Sequence, residues 1–353
     1  MKVNIIEMDN FKDCVDIDDS SKTFLITRPI LIFFSDDEID ELLKFYEANY
    51  REYKILYSER GEPITESAIL HLYRIHEFFL ENKINTKKFH IFYENRSVEY
   101  ENLLGFFQFN FYYYPFHLNF ITPPEYFDSG EFPFPLDKEF EKHFLCLNRT
   151  GKNHKIDFKK FFDASDLKDK SYYSFLWNDE RNFEENYQQQ THANHSNLID
   201  LYKNSAINIL SESVYSSEIL SIPYTFISEK TFRALAFPRP FIVIGQRHTL
   251  RNLQKMGFRT FSDIIDESYD DLPDSERLDK IQEIILDLSK KSKEEIYTMW
   301  EKCVDNYEHN RKSIFYHAKQ MNENFKSIFP NDYKLINSHY LTSIERTKNL
   351  KEW

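Results

Sequence analysis

The apolar residues of this chain change their spacing several times, and each change predicts an element. "KTFLITRPILIFFS" is β-rich. "DDEIDELLKFYEANYREY" follows with Ile39, Leu42, Leu43 and Tyr46 at i, i+3, i+4 and i+7, the pattern of a one-faced helix. "KILYSE" reads as a short buried strand. "ITESAILHLYRIHEFFLEN" reads as a second helix with Thr65 as N-cap, "HIFYEN" as a strand, and "FNFYYYPFHLNFI" as aromatic extended chain. Strands alternating with helices imply a parallel sheet with helices packed on it. Residues 1–125 therefore read as a first α/β domain. "TPPEYFDSGEFPFPLDKEFEK" is proline-rich and has no period, so 126–142 reads as a linker.

Strand, polar turn and helix then recur through "FLCLNRTGKNHKIDFKKFF", "AINILSES", "SEKTFRALAFPRPFIVIG" and "HTLRNLQKMGFRTF", which marks 143–330 as a second α/β domain. Leu250, Leu253 and Met256 form an inner helix face, with Gly257 as its C-cap. "DLPDSERLDKIQEIILDLSKK" is amphipathic through Leu278, Ile281, Ile285 and Leu288. Ser292 and Glu295 have capping-box spacing, and helix is expected to continue to about Ile328. A final helical stretch near "YLTSIERTKNL", within 331–353, is expected to pack back on the first domain. "SDLKDKSYYSF" and "ENYQQQTHANHSNLID" are polar and poorly periodic, and read as loops or disorder.

A chain of 353 residues is comfortable for two such domains, and 41% hydrophobic residues can fill their cores. The 34 Phe and 23 Tyr against 6 Gly match the codon usage of an AT-rich genome. A net charge of −13 disfavours a protein that coats nucleic acid. Cys14, Cys146 and Cys303 show no disulfide or zinc spacing, and suit a reducing compartment. The first residues lack a signal-peptide pattern, and no apolar run reaches the length of a membrane span. These features make a cytoplasmic protein the expectation.

Chemistry is expected at strand-to-helix turns, since open parallel sheets bind ligands at the C-terminal ends of their strands. "NRTGKNHK" follows the strand "FLCL" and gathers Arg149, Lys152, His154 and Lys155 around Gly151. A helix beginning near Ile156 would add its positive end, so the segment suits a diphosphate. The P-loop and GxGxxG patterns are absent. "ILSES" places Glu212 at a strand end, and "FISEKT" places Ser228, Glu229 and Lys230 at a helix start. A carboxylate can accept from the cis-diol of a ribose, and an adjacent ammonium can meet phosphate oxygens. The same residues would also serve as ordinary helix caps. "DID" at Asp16–Asp18 sits in an acidic tail ahead of the first convincing strand, so it is not expected to hold a metal. His192 and His195 read as solvated.

"YTFISEKTFRALAFPRPFIVIG" resembles the donor-binding segment of fucosyltransferases and exostosin-like glycosyltransferases, in which a strand leads to a Ser/Thr-Glu-Lys turn, a helix and an apolar strand. "FLCLNRTGKNHK" is similar to the turn that opens the donor domain in related viral or bacterial enzymes. "LRNLQKMGFRTFSDIIDESYDDLPDSERLDKI" continues the likeness, which covers residues 143–285. Two departures stand out. Fucosyltransferases carry Tyr three residues before the Glu, where this chain has Phe226 with Tyr224 close by, and their Ser-Asn-Cys turn is replaced by Asn148-Arg149.

The resemblance implies the GT-B fold: two Rossmann-like domains with a cleft between them and a helical C-terminal tail. It implies a glycosyltransferase that moves a sugar from a nucleotide-sugar to a hydroxyl acceptor such as a glycan, inverting and without a metal. It implies no cofactor, the nucleotide-sugar being a co-substrate. Glu229 would bind ribose, Lys230 the diphosphate and Arg149 the phosphates, with Glu212 near the donor. Inversion needs a base from the first domain, and Glu59 and Glu94 follow its strands. A viral member would work in the host cytoplasm. Two alternatives remain: the same chemistry on hydroxymethylated DNA bases, which the acidic charge disfavours, and a non-catalytic nucleotide-binding module.

Overall fold

The structure is a computed structural model that describes residues 15–19, 21–26, 34–58, 66–93, 104–113, 136–183, 199–216, 218–219, 222–223 and 225–330. These residues gather into two compact units. Described residues up to 113, together with 218–223 and 323–330, make the first; described residues of 136–216 and 225–322 make the second. Each unit therefore has its own core, but the division does not run once along the chain. Residues 218–223 and 323–330 lie inside the stretch expected to be the second domain and belong to the first unit.

The first unit contains β1 (Val15–Asp18), β2 (Thr23–Ile26), α1 (Asp36–Tyr50), β3 (Lys54–Ser58), α2 (Glu66–Glu81), β4 (Phe89–Tyr93) and β5 (Asn110–Tyr113). Its sheet runs β1-β2-β3-β4-β5, parallel except for the antiparallel β1 edge. The helix α1 buries the four residues that its spacing selected, Ile39, Leu42, Leu43 and Tyr46, and a capping box between Ser35 and Glu38 starts it. Arg74 of α2 grips Asp40 of α1 with two bonds of 2.7 and 2.6 Å. The "DID" motif is not a free acidic tail. It pairs with β2 as an edge strand, because backbone pairing with Thr23–Ile26 outweighs its acidic composition. Thr65, the expected cap of α2, lies outside the described residues.

The second unit contains β6 (Lys142–Asn148), α3 (Asn153–Asp163), α4 (Leu167–Lys170), β7 (Ser171–Phe175), β8 (Glu180–Arg181), α5 (Ile199–Lys203) and β9 (Ser205–Ser211). The short strands β10 (Glu218–Ile219) and β11 (Ile222–Pro223) form an antiparallel ribbon that belongs to the first unit. The second unit continues with α6 (Glu229–Ala236), β12 (Phe241–Ile244), α7 (Thr249–Lys255), α8 (Asp274–Ser289), α9 (Lys293–Glu301) and most of α10 (Val304–Ile328). Leu250 and Leu253 bury the inner face of α7, and Gly257 follows it at φ +90°, where a side chain would be strained. Ser292 and Glu295 complete the expected capping box of α9. Phe329 follows α10 and meets His90, Phe92 and Tyr112 of the first unit edge-on, with ring centroids 5.4–5.5 Å apart. The expected final helix within 331–353 lies outside the described residues.

Two expectations need correction. The end of the proposed linker is structured: Leu136 and Phe140 are core residues, and Lys142 already belongs to β6. "SDLKDKSYYSF" is not a loop. It forms α4 and then β7, which pairs in parallel with β6 along Phe144↔Ser171 to Asn148↔Phe175. Its small polar residues Ser171 and Ser174 are buried, which erased the apolar signal of a strand.

The sheet of the second unit runs β12-β9-β6-β7-β8 and is parallel except for β8. After β6 the chain steps to β7 on one side; β9 and β12 then add on the other. The strand order therefore reverses between β6 and β9. That reversal is where doubly wound sheets open a crevice at their carboxyl ends. Among the described residues the parallel strands of the first unit step one way, from β2 to β5, with no such point. The molecule is thus an α/β protein with Rossmann-like parallel sheets, and no helix among the described residues is long and apolar enough to cross a membrane.

Candidate functional site

The reversal point is also where the sequence motifs converge. The recorded pairing of β6 with β9 ends at Leu145↔Asn208, while β6 runs on to Asn148 and β9 to Ser211. Alternation along the two strands puts Asn148 and Ser211 on one face of the sheet. It is the face that α3 covers, since Phe162 of α3 packs 5.2 Å from both Tyr173 and Phe175.

The helix α3 begins at Asn153, three residues earlier than expected, so His154 and Lys155 sit in its first turn and not in a loop. Its buried face comprises His154, Lys155, Phe158, Lys159 and Phe162. Two lysines on that face disguised its period. No side chain caps the helix, as Lys152 occupies the N-cap position. Lys152 extends its ammonium instead to the carbonyl of Ser213, 2.7 Å away. Gly151 has a steric reason: a Cβ there would fall 2.9 Å from Cγ of Trp177, whose ring lies against this turn. Arg149 is exposed in the same turn.

Glu212 does not face a ligand. It is wholly buried, and four donors of the chain fill its carboxylate. The Ser228 N–H and the Thr231 hydroxyl donate to Oε1 at 3.2 and 2.5 Å; the Ser213 N–H and the Ser228 hydroxyl donate to Oε2 at 3.2 and 2.5 Å. All four lone-pair sites are used, leaving nothing for a diol. Its role is to tie the end of β9 to the N-terminus of α6. Ser228 caps α6 by accepting from the Lys230 N–H. Lys230 curls back over the joint, reaching Ser213 Oγ and Ser228 Oγ at 3.2 Å each and Glu229 at 3.0 Å. Gly245 closes the far side, where a Cβ would press on Glu212 at 3.3 Å.

Lys152 and Lys230 thus converge on Ser213 from two different helices. Between them lies Lys155, 2% exposed, with no hydrogen-bond or ion-pair partner among the described residues. Burial, followed by the charge of Lys230, pushes its ammonium down to about 8, against a weaker opposing pull from Glu212. His154 donates from Nε2 to the Glu212 carbonyl at 3.1 Å and stacks on Tyr215 at 5.2 Å, and burial lowers it to about 4. On the sheet face that α3 covers, two polar atoms are also buried and unpaired, Oδ1 of Asn148 and Oγ of Ser211. Cys146, on the same face, is raised to about 12 by burial and is an inert thiol.

Sequence reasoning missed the supports. Arg277 is fully buried, donates to the carbonyls of Gly245 and Tyr215 at 3.0 Å each, and lies 4.5 Å over the Tyr215 ring. It braces the loops after β9 and β12 together, although in sequence it is one cation on an amphipathic helix. Ser211, Ser213, Thr231 and Trp177 gave no motif of their own; only the strand order assembles them. Asp270, from the acidic segment of the resemblance, accepts from the N–H groups of Leu250 and Arg251 and so caps α7. Glu59, Glu94, Tyr224, His192 and His195 lie outside the described residues. Among the described residues no cluster of three His, Cys, Asp or Glu is placed to hold a metal ion. The site is therefore a cluster of lysines at the crossover of a parallel sheet. In comparison with known proteins, no family model, no curated protein and no solved structure matches this chain.

Proposed function

We propose that the chain is a nucleotide-sugar-dependent glycosyltransferase on the GT-B plan, with the second unit taking the donor and the first presenting a hydroxyl acceptor such as a glycan. The observation that carries this reading is the buried ammonium of Lys155, which makes no hydrogen bond among the described residues and is held below its ordinary value by burial and by the charges of Lys230 and Lys152, against a weaker pull from Glu212. A buried cation whose charge is only partly met is costly, and an anionic ligand offsets that cost. A diphosphate brings that charge to the place where doubly wound sheets bind nucleotides.

In the proposed reaction the acceptor oxygen bonds to the anomeric carbon as the bond to the diphosphate breaks. The proton of the acceptor hydroxyl passes to a base of the first unit, for which Glu59 and Glu94 are the candidates. The electron pair leaves with the diphosphate, whose growing charge meets the ammoniums of Lys155, Lys152 and Lys230. Glu229, drawn against Lys230, would give up that ion pair or share it on binding ribose.

The test is a thermal-shift and calorimetry panel of UDP-, GDP-, CMP- and dTDP-sugars, followed by a transfer and hydrolysis assay with the best binder. One class of nucleotide diphosphate sugar should stabilise the protein as RT ln(1 + [L]/Kd). Lys230→Ala should weaken it by about tenfold or more with the circular-dichroism spectrum unchanged. No binding and no cleavage of any nucleotide-sugar would refute the reading.

A further inference from the structure

From the same cluster we infer that Lys155, Asn148 and Ser211 form an inner oxyanion subsite, distinct from the outer pair Lys152 and Lys230, which takes one phosphoryl group. It rests on the donor-site reading above and specifies how the site holds its ligand. Three independent features converge on it. Lys155 is 2% exposed and without an acceptor among the described residues. Asn148 and Ser211, 2% and 1% exposed, end adjacent strands on the face that α3 covers, and each holds a buried polar atom without a partner. A buried amide oxygen or hydroxyl without a partner is free to meet an incoming group. Among the described residues the Asn148 side chain hydrogen-bonds Cys146 Sγ, at 3.3 Å, and it can present either end of its amide to an incoming oxygen.

The outer cations differ in kind. Lys152 and Lys230 each hold oxygens of the chain, at Ser213 and Ser228, and Lys230 has Glu229 as a counter-ion. They can swing to a ligand without having been destabilised beforehand. Lys155 makes no hydrogen bond from its ammonium among the described residues, and Glu212, the carboxylate that pulls on it, is held by four other donors. The charged and titratable groups that face it are Lys152 and His154 of its own segment, Cys146 of β6, Glu212 past β9 and Lys230 of α6. Glu212 is fully engaged by four donors, and the remaining groups are cationic or neutral at pH 8, so an arriving phosphoryl group becomes the chief acceptor for this ammonium. Because burial pushes the Lys155 ammonium down to about 8, anion binding above that pH should draw a proton from solution.

The experiment is calorimetry of inorganic pyrophosphate from pH 7 to 9.5, repeated in buffers of different ionisation heat to count protons. The wild-type protein should take up close to one proton per ligand above pH 8, and its affinity should fall about tenfold per pH step there. Lys155→Met should bind about 10- to 100-fold more weakly at pH 7 and take up no proton. Ser211→Ala, which keeps the lysine, should bind more weakly with proton uptake intact. Equal pyrophosphate affinity in Lys155→Met, or no proton uptake by the wild type, would overturn the subsite. If that result comes with normal nucleotide-sugar turnover, the subsite fails and the enzyme reading stands. If pyrophosphate binds through Lys155 but no nucleotide-sugar is bound or cleaved, the subsite stands and the enzyme reading fails.

Discussion

Replacing Lys155 by Met should make the ligand-free protein more stable, the reverse of what most substitutions at a buried residue do. Burial lowers the ammonium from its ordinary 10.5 to about 8, so at neutral pH the protonated form is disfavoured in the fold by about 3 kcal/mol. Met is close to Lys in length and volume and fills the space beside Cys146 without a charge. The gain at pH 7 should therefore approach about 3 kcal/mol, and re-formed packing or a bound buffer anion can only reduce it. The sign follows from the proton balance. Between pH 8 and 10.5 the unfolded lysine holds its proton and the folded one does not, so wild-type stability should rise with pH through that window and level off above it. The variant should lack this rise, and the two curves should meet near pH 10.5. Urea denaturation followed by the fluorescence of Trp177 and Trp300 at pH 7, 8, 9 and 10 measures it. A variant less stable than wild type at pH 7, or a wild type whose stability is flat from pH 8 to 10, would refute the reasoning.

Two further outcomes follow from the same joint. Glu212→Ala should destabilise the second unit by about 3–5 kcal/mol in urea denaturation, because two hydroxyls and two N–H groups lose one buried acceptor; a loss below about 1 kcal/mol would contradict its role as the tie between β9 and α6. His154, ordinarily near 6.5 and lowered to about 4 by burial, leaves stability intact above pH 6.5 and removes up to about 3 kcal/mol as pH falls from there to 4. His154→Gln should flatten that acid limb in a thermal-melt series, and an unchanged limb would locate the acid sensitivity elsewhere.

Local patterning alone determined much of the fold. The spacing of Ile39, Leu42, Leu43 and Tyr46 requires one helical face, and the packing of that face followed. The capping pair Ser292 and Glu295, and the strands around Leu56, Cys146, Ile209 and Val243, were equally legible, because each depends only on residues a few positions apart. The strand β7 was not legible, since its buried serines are small enough to sit inside a sheet yet polar enough to read as loop.

The cationic residues of the site were visible as types, but their roles were not. In sequence Glu212 and Lys155 are one acid and one base among many. Only the order β12-β9-β6-β7, with its reversal between β6 and β9, brings Ser213, Ser228 and Thr231 around the carboxylate. The same packing leaves the lysine without an acceptor among the described residues. Hydrogen-bond saturation and the desolvation of a charge are properties of the surroundings in three dimensions, and here those surroundings come from segments up to 80 or so residues apart in the chain.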